Sequence, residues 1–153
     1  MAPLIILLGS FLVCFAINRY LLKDKYSLSF IGRLSLSLML LATGITHFTS
    51  TDLMVQMMPD LIPAKRELVY FTGVCELFAV IGLLWRRSAK LTAVMLIIFF
   101  VMILPANIAG SVKEVELGGM ENGARYLFFR IPLQILFIWW AYYFGISKND
   151  GSD

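Results

Sequence analysis

The sequence predicts an all-α transmembrane protein, because its apolar residues are both abundant and gathered into runs. Of 153 residues, 59% are hydrophobic and 15% are charged, whereas an ordinary soluble domain is about 45–50% apolar and about 25% charged. Five runs each approach the roughly 20 residues that a helix needs to cross a bilayer. We therefore expect a single membrane domain over residues 1–153, with spans at about 3–22, 28–48, 68–85, 91–108 and 127–145.

The first run is expected to stay in the protein as a span. No basic residue precedes its apolar part, and no small-residue cleavage site follows before Arg19, although a signal peptide has both features. The fifth run ends in WWAYY at residues 139–143. Trp and Tyr are enriched at membrane–water interfaces, so this belt marks the end of the last span. Residues 146–153 then form a short polar tail.

Five spans place the two ends of the chain on opposite sides of the membrane, and the basic residues indicate which side is which. Eight Lys and Arg residues lie on the side of the C-terminus, against five on the other side. Because cytoplasmic loops carry the excess of Lys and Arg, we expect the N-terminus outside, the C-terminus in the cytoplasm, and a multi-pass protein of the cytoplasmic (inner) membrane. The eight are Arg19, Lys23, Lys25, Arg33, Arg86, Arg87, Lys90 and Lys148, and the five are Lys65, Arg66, Lys113, Arg125 and Arg130.

The two loops on the outer side are the long ones. Residues 49–67 contain MVQMMPDLIPAKRE, and we expect this Met-rich apolar segment to lie on the bilayer surface or to fold over the helix ends as a lid. Asp60 is the expected N-cap of the third helix, since Asp is favoured at that position. Residues 110–126 contain GGMENG, which is typical of flexible turns.

Five polar side chains inside the apolar runs form the candidate site. Glu76 is the most informative of them, because moving a carboxylate into hydrocarbon is costly unless it is paired, protonated or hydrated. At 1.5 Å per residue it lies about 12 Å below the outer end of its helix. All five fall in the outer half of the bilayer, whereas the inner halves of the same helices are almost purely apolar. The five are His47, Glu76, Asn107, Arg130 and Gln134.

We expect Glu76 and Arg130 to form the central pair of this cluster. A nearby guanidinium keeps a carboxylate ionised and can bind it through two hydrogen bonds. His47, Asn107 and Gln134 would then complete the hydrogen bonding. The same network has a purely structural interpretation, because buried polar groups also specify how helices pack.

Three further residues are expected to shape the helices around the cluster. Gly44 and Gly73 each precede a cluster residue by three positions and so share its helix face. Small residues let membrane helices approach closely. Pro105 removes a backbone hydrogen bond and is expected to bend the fourth helix just before Asn107.

The sequence gives little support to other kinds of site. A single histidine without suitable Cys or carboxylate spacing predicts no metal site, and Cys14 and Cys75 are expected to be small buried thiols. The net charge is +3, but no basic stripe with interleaved aromatics is present, so nucleic acid is not an expected partner. Gly-rich phosphate loops and G-x-S-x-G elbows are absent. These observations favour a protein that is not an enzyme on its own, with no evident cofactor.

The cluster residues belong to segments that resemble a known family. GITHF, a loop with two prolines, LVYFTGVCELFAVIGLL, LPANI and RIPLQILFIWW follow one another in an order similar to that of the DoxX-like family of small membrane proteins. The likeness covers about residues 33–140, four of the five spans. It implies a four-helix DoxX-like bundle, with the first helix as an addition at the N-terminus. By this resemblance, the family's characteristic positions are His47, Glu76, Asn107, Arg130 and Gln134.

The resemblance and the cluster leave three functions open. The DoxX-like namesake is a membrane subunit associated with thiosulfate:quinone oxidation, and other members are linked to oxidative-stress complexes or receptor assembly. The first expectation is therefore an accessory subunit, associated with membrane or redox proteins and lipid, that binds a quinone-like or other amphipathic molecule. The second is a non-enzymatic assembly protein with a structural network. The third is a proton-coupled carrier using Glu76 and His47. The oligomeric state stays open.

Overall fold

The computed structural model describes residues 2–147, and this part of the chain forms helices and turns without a β-strand. Five helical stretches in it are long and apolar enough to cross a membrane, which confirms the predicted number of candidate spans. Residues 148–153, and with them most of the predicted polar tail, lie outside the described part. The helices are α1 (Ala2–Tyr20), α2 (Leu28–Thr49), α3 (Thr51–Met57), α4 (Lys65–Leu84), α5 (Ala89–Met102), α6 (Leu104–Val112), a 3-10 helix (Met120–Tyr126), α7 (Leu127–Tyr142) and a π-helical turn (Tyr143–Ser147).

α2 is the central helix of the bundle. It makes its most extensive contact with α4 and also packs against α1. In the most apolar 18-residue stretch of α2, 56% of the residues are buried, whereas in that of α1 only 11% are buried. α5 and α7 form a second pair, and the π-helical turn after α7 returns to α2 and α5. α1 is therefore the most exposed of the five candidate spans.

The fourth candidate span is interrupted. α5 ends at Met102 and α6 begins at Leu104, with Pro105 in the first turn of α6. Proline lacks a backbone N–H, and at the start of a helix this group would have no partner within the helix anyway. The new helix can therefore hold Pro105 in its first turn without losing a hydrogen bond, at the place where the sequence predicts a bend.

One end of the bundle, which we call the aromatic end, is formed where α2 begins and α7 finishes. Trp140 Nε1 donates to Gly32 O at 3.0 Å, and Ser29 Oγ donates to Phe144 O at 2.8 Å. A Cβ atom on Gly32 would lie 2.2 Å from the Phe144 ring, so a glycine is needed for the ring to pack there. The polar side chains at this end thus bind backbone carbonyls of a neighbouring helix.

The opposite end, which we call the polar end, is where α2 finishes and α4 and α7 begin. α3 crosses this end, since it follows α2 in the chain and packs against both α4 and α6. Thr51 Oγ1 donates to His47 O at 2.7 Å and fastens the first turn of α3 to the end of α2. This part of the segment 49–67 is therefore a short helix over the helix ends, in the manner expected of a lid.

The prediction that Asp60 is the N-cap of α4 is wrong. The N-cap is Ala64, which makes no side-chain cap hydrogen bond. Asp60 Oδ1 accepts instead from Lys113 Nζ at 2.7 Å and from Lys65 Nζ at 3.1 Å. Asp60 lies four residues before this N-cap, and its carboxylate binds two ammonium groups instead of backbone N–H groups of the helix. The hydrogen bonds, first that of Lys113 and then that of Lys65, lower the pKa of Asp60. Asp60 therefore joins the two long loops.

Candidate functional site

The first half of the candidate site is a pair formed by His47 of α2 and Glu76 of α4. His47 Nε2 lies 3.5 Å from Glu76 Oε1, and the side chains are 14% and 6% exposed. His47 Nδ1 lies 2.9 Å from Val69 O, and because a carbonyl can only accept, Nδ1 carries a proton. The imidazole is thus positioned to pair with the carboxylate through Nε2. Thr43 Oγ1 donates to the other carboxyl oxygen at 2.6 Å.

Two glycines allow α2 and α4 to approach closely at this pair. A Cβ atom on Gly73 of α4 would lie 2.6 Å from His47 Cβ, and one on Gly44 of α2 would lie 2.9 Å from Leu77 Cδ2. Each glycine thus faces a side chain of the opposite helix. The absence of two side chains lets a short imidazole reach a carboxylate across the helix contact.

The second half of the site joins α6 and α7 through Arg130 and Asn107. Arg130 Nη2 donates to Asn107 Oδ1 at 3.1 Å. A guanidinium has no acceptor, so the amide must present its oxygen to it, and Asn107 Nδ2 is directed elsewhere. Gln134 lies one helical turn after Arg130, and its Nε2 donates to Phe100 O at 2.5 Å. Because the Phe100 carbonyl can only accept, the Gln134 amide presents its nitrogen to it, and Gln134 Oε1 is directed away from this carbonyl.

Three buried atoms of this second half have no hydrogen-bond partner among the described residues: Asn107 Nδ2, Arg130 Nε and Gln134 Oε1. Asn107 and Gln134 are each only 2% exposed. In folded proteins more than about 90% of buried polar groups are paired, and each unpaired one costs about 1–3 kcal/mol. The site therefore offers two N–H donors and one carbonyl acceptor that its own side chains do not use.

The predicted central pair of Glu76 and Arg130 is not formed. Within residues 2–147, Glu76 pairs with His47, while Arg130 binds the neutral amide of Asn107. The cause is helix packing: α4 lies against α2, whereas α7 packs against α5, α6 and α2. The five predicted residues are thus brought to one end of the bundle as two groups, His47 with Glu76, and Asn107 with Arg130 next to Gln134.

Two threonines were not among the predicted site residues. Thr43 binds Glu76, and Thr72 Oγ1 lies 3.2 Å from His47 Nδ1. Helical spacing contained a signal for both, since Thr43 is four residues before His47 and Thr72 is four residues before Glu76, on the same helix faces. The carbonyls of Val69 and Phe100 carried no such signal, because every residue has one.

No group of three or more His, Cys, Asp or Glu side chains is arranged to hold a metal ion in the part of the chain that the structure describes. The five predicted site residues at the polar end are all of different types. The chemistry available at this end is hydrogen bonding to an oxygen-bearing group, together with the contact between the imidazole of His47 and the carboxyl group of Glu76.

The chain matches a protein family model. Residues 36–145 match the family model described as "Domain of unknown function (DUF8561)". The chain belongs to this family. The DUF8561 region runs from α2 to the π-helical turn and includes all five predicted site residues, whereas α1 lies before it. No curated protein and no solved structure matches the chain, and the resemblance to the DoxX-like family stays a prediction.

Proposed function

We propose that this protein is an accessory subunit of the cytoplasmic membrane that binds an amphipathic small molecule at its polar end. The ligand has an apolar tail and an oxygen-bearing head group, as a quinone does. The polar end faces the extracytoplasmic side, which the distribution of Lys and Arg favours. The DoxX-like resemblance supports an association with redox proteins, and the bound quinone or the partner would carry the electrons.

The observation that carries this proposal is the set of three unpartnered atoms on Asn107, Arg130 and Gln134. A network that served packing alone would be expected to pair its buried atoms, because a half-satisfied network is less favourable than an apolar core. A quinone carbonyl would accept from Arg130 or Asn107, and the hydroxyl of the reduced quinol would donate to Gln134 Oε1.

The position of Arg130 gives such a molecule a route from the bilayer. Arg130 is half-buried, and Ile131 and Ile135, which follow it on α7, are 40% and 61% exposed. An apolar tail can lie against these isoleucines in the lipid while the head group reaches the guanidinium. α3 lies over the same end of the bundle and would separate the head group from water.

The proposal is tested by measuring what the protein retains from its native membrane. We expect gently purified protein, extracted with organic solvent and analysed by mass spectrometry, to contain one class of amphipathic molecule enriched over the bulk lipid. Gln134→Leu removes the unpartnered acceptor and should lower this enrichment about tenfold, as the loss of one good hydrogen bond predicts.

The matched control is Ser35→Ala, which removes another buried polar side chain, one that bonds to Gly32 O within α2. This variant should keep the enrichment of the unaltered protein. A lipid extract with the composition of the surrounding membrane, from protein of undiminished stability, would contradict the proposal.

A scaffold function is the second candidate, and the contact between α2 and α4 favours it. His47, Glu76, Gly44 and Gly73 form one close helix crossing in which the polar groups bind each other. If the polar end only holds helices together, Arg130→Ala should lower stability, and the activity of any partner should fall in proportion to protein level. A loss of partner activity at unchanged protein level favours ligand binding instead.

A further inference from the structure

The charge of Arg130 has no matching carboxylate in contact with it. Within residues 2–147 no Asp or Glu oxygen lies within ion-pair distance of its guanidinium, and its side-chain partner, Asn107, is neutral. A cation held at the depth of a membrane helix is costly without a counter-charge. The second half of the site therefore carries one positive charge that its own residues do not neutralise by contact.

Glu76 does not contact the guanidinium of Arg130. Its two oxygens are engaged by His47 and Thr43, and it attracts the guanidinium from a longer distance. Arg130 Nε therefore remains a donor that an anionic head group can use.

The unpartnered donors also indicate that the site can bind an anion. Arg130 Nε and Asn107 Nδ2 both have an N–H group to donate, and they lie on residues that are already bonded to each other. Adjacent N–H donors on or beside a guanidinium suit the oxygens of a phosphate or carboxylate, which accept charge-assisted hydrogen bonds. A neutral carbonyl would use the donors but leave the charge uncompensated.

We infer that the head group of the ligand is an oxyanion, a phosphate or a carboxylate, bound by Arg130 with Asn107 as the second donor. This inference rests on the proposed function and makes it more specific. The apolar tail lies in the lipid beside Ile131 and Ile135, as in that proposal. The oxyanion takes the place beside Arg130 that the sequence analysis expected Glu76 to occupy. Glu76 keeps its own partners, His47 and Thr43.

The test uses the full chain in nanodiscs of digalactosyldiacylglycerol, a neutral lipid without phosphate, with dodecyl phosphate and dodecanol as probes that share one tail. We expect dodecyl phosphate to bind at least about tenfold more tightly than dodecanol, since hydrogen bonds to charged groups are the stronger kind. Arg130→Gln should remove this preference. Arg130→Lys keeps the charge but not the forked geometry, and it should retain part of the preference.

The outcomes separate the inference from the proposed function. Decyl-ubiquinone that binds while dodecyl phosphate binds no better than dodecanol would overturn the oxyanion but keep an amphipathic ligand. If none of the three probes binds to protein with an unchanged melting temperature, both proposals fail. An unchanged preference for dodecyl phosphate in stably folded Arg130→Gln and Arg130→Lys would also overturn the inference.

Competition then identifies the source of the oxyanion. Phosphatidic acid added to the nanodiscs should displace dodecyl phosphate if the natural occupant is a phospholipid, whereas laurate should displace it if the occupant is a single-chain acid. Either result supports the inference. Displacement by inorganic phosphate at the same concentration would contradict it, because a soluble anion has no tail to place in the lipid.

Discussion

The two ends of the bundle use polar residues in different ways. At the aromatic end, Trp140 and Ser29 donate to backbone carbonyls of a neighbouring helical segment. At the polar end, some side chains also bind one another, as His47 binds Glu76 and Arg130 binds Asn107, and Asn107, Arg130 and Gln134 keep atoms without partners. A backbone carbonyl is fixed by its helix, so bonds to it hold helices in place. Side chains with spare donors and acceptors can rearrange around a third molecule, which is why we place the ligand at the polar end.

Two asparagines make the same comparison at the level of single residues. Asn18 and Asn107 are both buried, with exposed fractions of 5% and 2%. Asn18 uses both ends of its amide on the backbone of Tyr26, where Nδ2 donates to the carbonyl at 3.0 Å and Oδ1 accepts from the N–H at 2.9 Å. Asn107 uses its oxygen on Arg130 and leaves Nδ2 free of partners. One asparagine is satisfied by the fold, and the other is not.

The largest effect on stability is expected from Glu76→Ala at the polar end. This change leaves the imidazole of His47, which is only 14% exposed, without its carboxylate partner, and breaking a buried pair in this way costs about 3–5 kcal/mol. The free energy of unfolding can be measured by titration with sodium dodecyl sulfate in mixed micelles. Glu67→Ala is the matched control, because Glu67 is an exposed acid on the same helix and its removal should have little effect.

A result in which Glu76→Ala and Glu67→Ala are equally stable would show that the His47–Glu76 pair does not hold α2 against α4. The scaffold function would then lose the contact on which it depends. The proposed binding function would be unaffected, because it rests on the unpartnered atoms of Asn107, Arg130 and Gln134 on α6 and α7.

Gly32→Ala tests the aromatic end and should have the next largest effect. The added methyl group would meet the Phe144 ring at 2.2 Å, and overpacking of this kind costs about 1–3 kcal/mol. Gly9→Ala is the control, because nothing lies within 4 Å of its added Cβ and alanine favours the helix by about 0.5–1 kcal/mol. We expect Gly32→Ala to lower the free energy of unfolding while the enrichment of bound amphiphile is kept. Loss of the amphiphile from folded Gly32→Ala protein would contradict the claim that only the polar end binds the ligand.

Ser29→Ala should have a smaller effect at the same end. It removes the hydrogen bond to Phe144 O, and such a bond contributes about 1 kcal/mol. The comparison variant is Ser10→Ala, whose hydroxyl bonds to Leu7 O within its own helix and joins no two helices. Equal stability of the two variants, measured in the same micelles, would mean that the bond between Ser29 and the π-helical turn contributes nothing to helix packing.

The smallest effect concerns the loop contact of Asp60. Lys113 and then Lys65 lower the pKa of this carboxyl, so the contact is present at neutral pH and is lost as the pH falls through the lowered pKa. Carbon-detected nuclear magnetic resonance of labelled aspartate can follow this titration. In Lys113→Ala the pKa of Asp60 should rise toward its ordinary value, and in Lys90→Ala it should not change. An Asp60 titration that is the same in all three proteins would contradict the contact.

The helical class and the number of candidate spans were predictable, whereas the pairing inside the site was not. Hydropathy and length alone indicated five candidate spans, because lipid leaves a chain few alternatives. The choice of partner for Glu76 depended on which helix lies against α4, and hydropathy carries no information on that. Gly44 and Gly73 did carry some, since two glycines three residues before His47 and Glu76 indicate a close approach of α2 and α4. That signal favours His47 over Arg130 as the partner of Glu76.

The central claim is that the unpartnered atoms of the polar end serve a ligand and not the fold. It is tested most directly by comparing Asn107→Leu with Asn18→Leu, with two readouts from each protein: the free energy of unfolding and the amount of bound amphiphile. We expect Asn107→Leu to lose most of the bound amphiphile, and to lose less stability than Asn18→Leu, because the lost bond to Arg130 is partly offset by removal of the unpartnered Nδ2. Asn18→Leu should keep the amphiphile while losing about 1–3 kcal/mol. Equal retention of amphiphile by the two variants, with Asn107→Leu the less stable, would contradict the account.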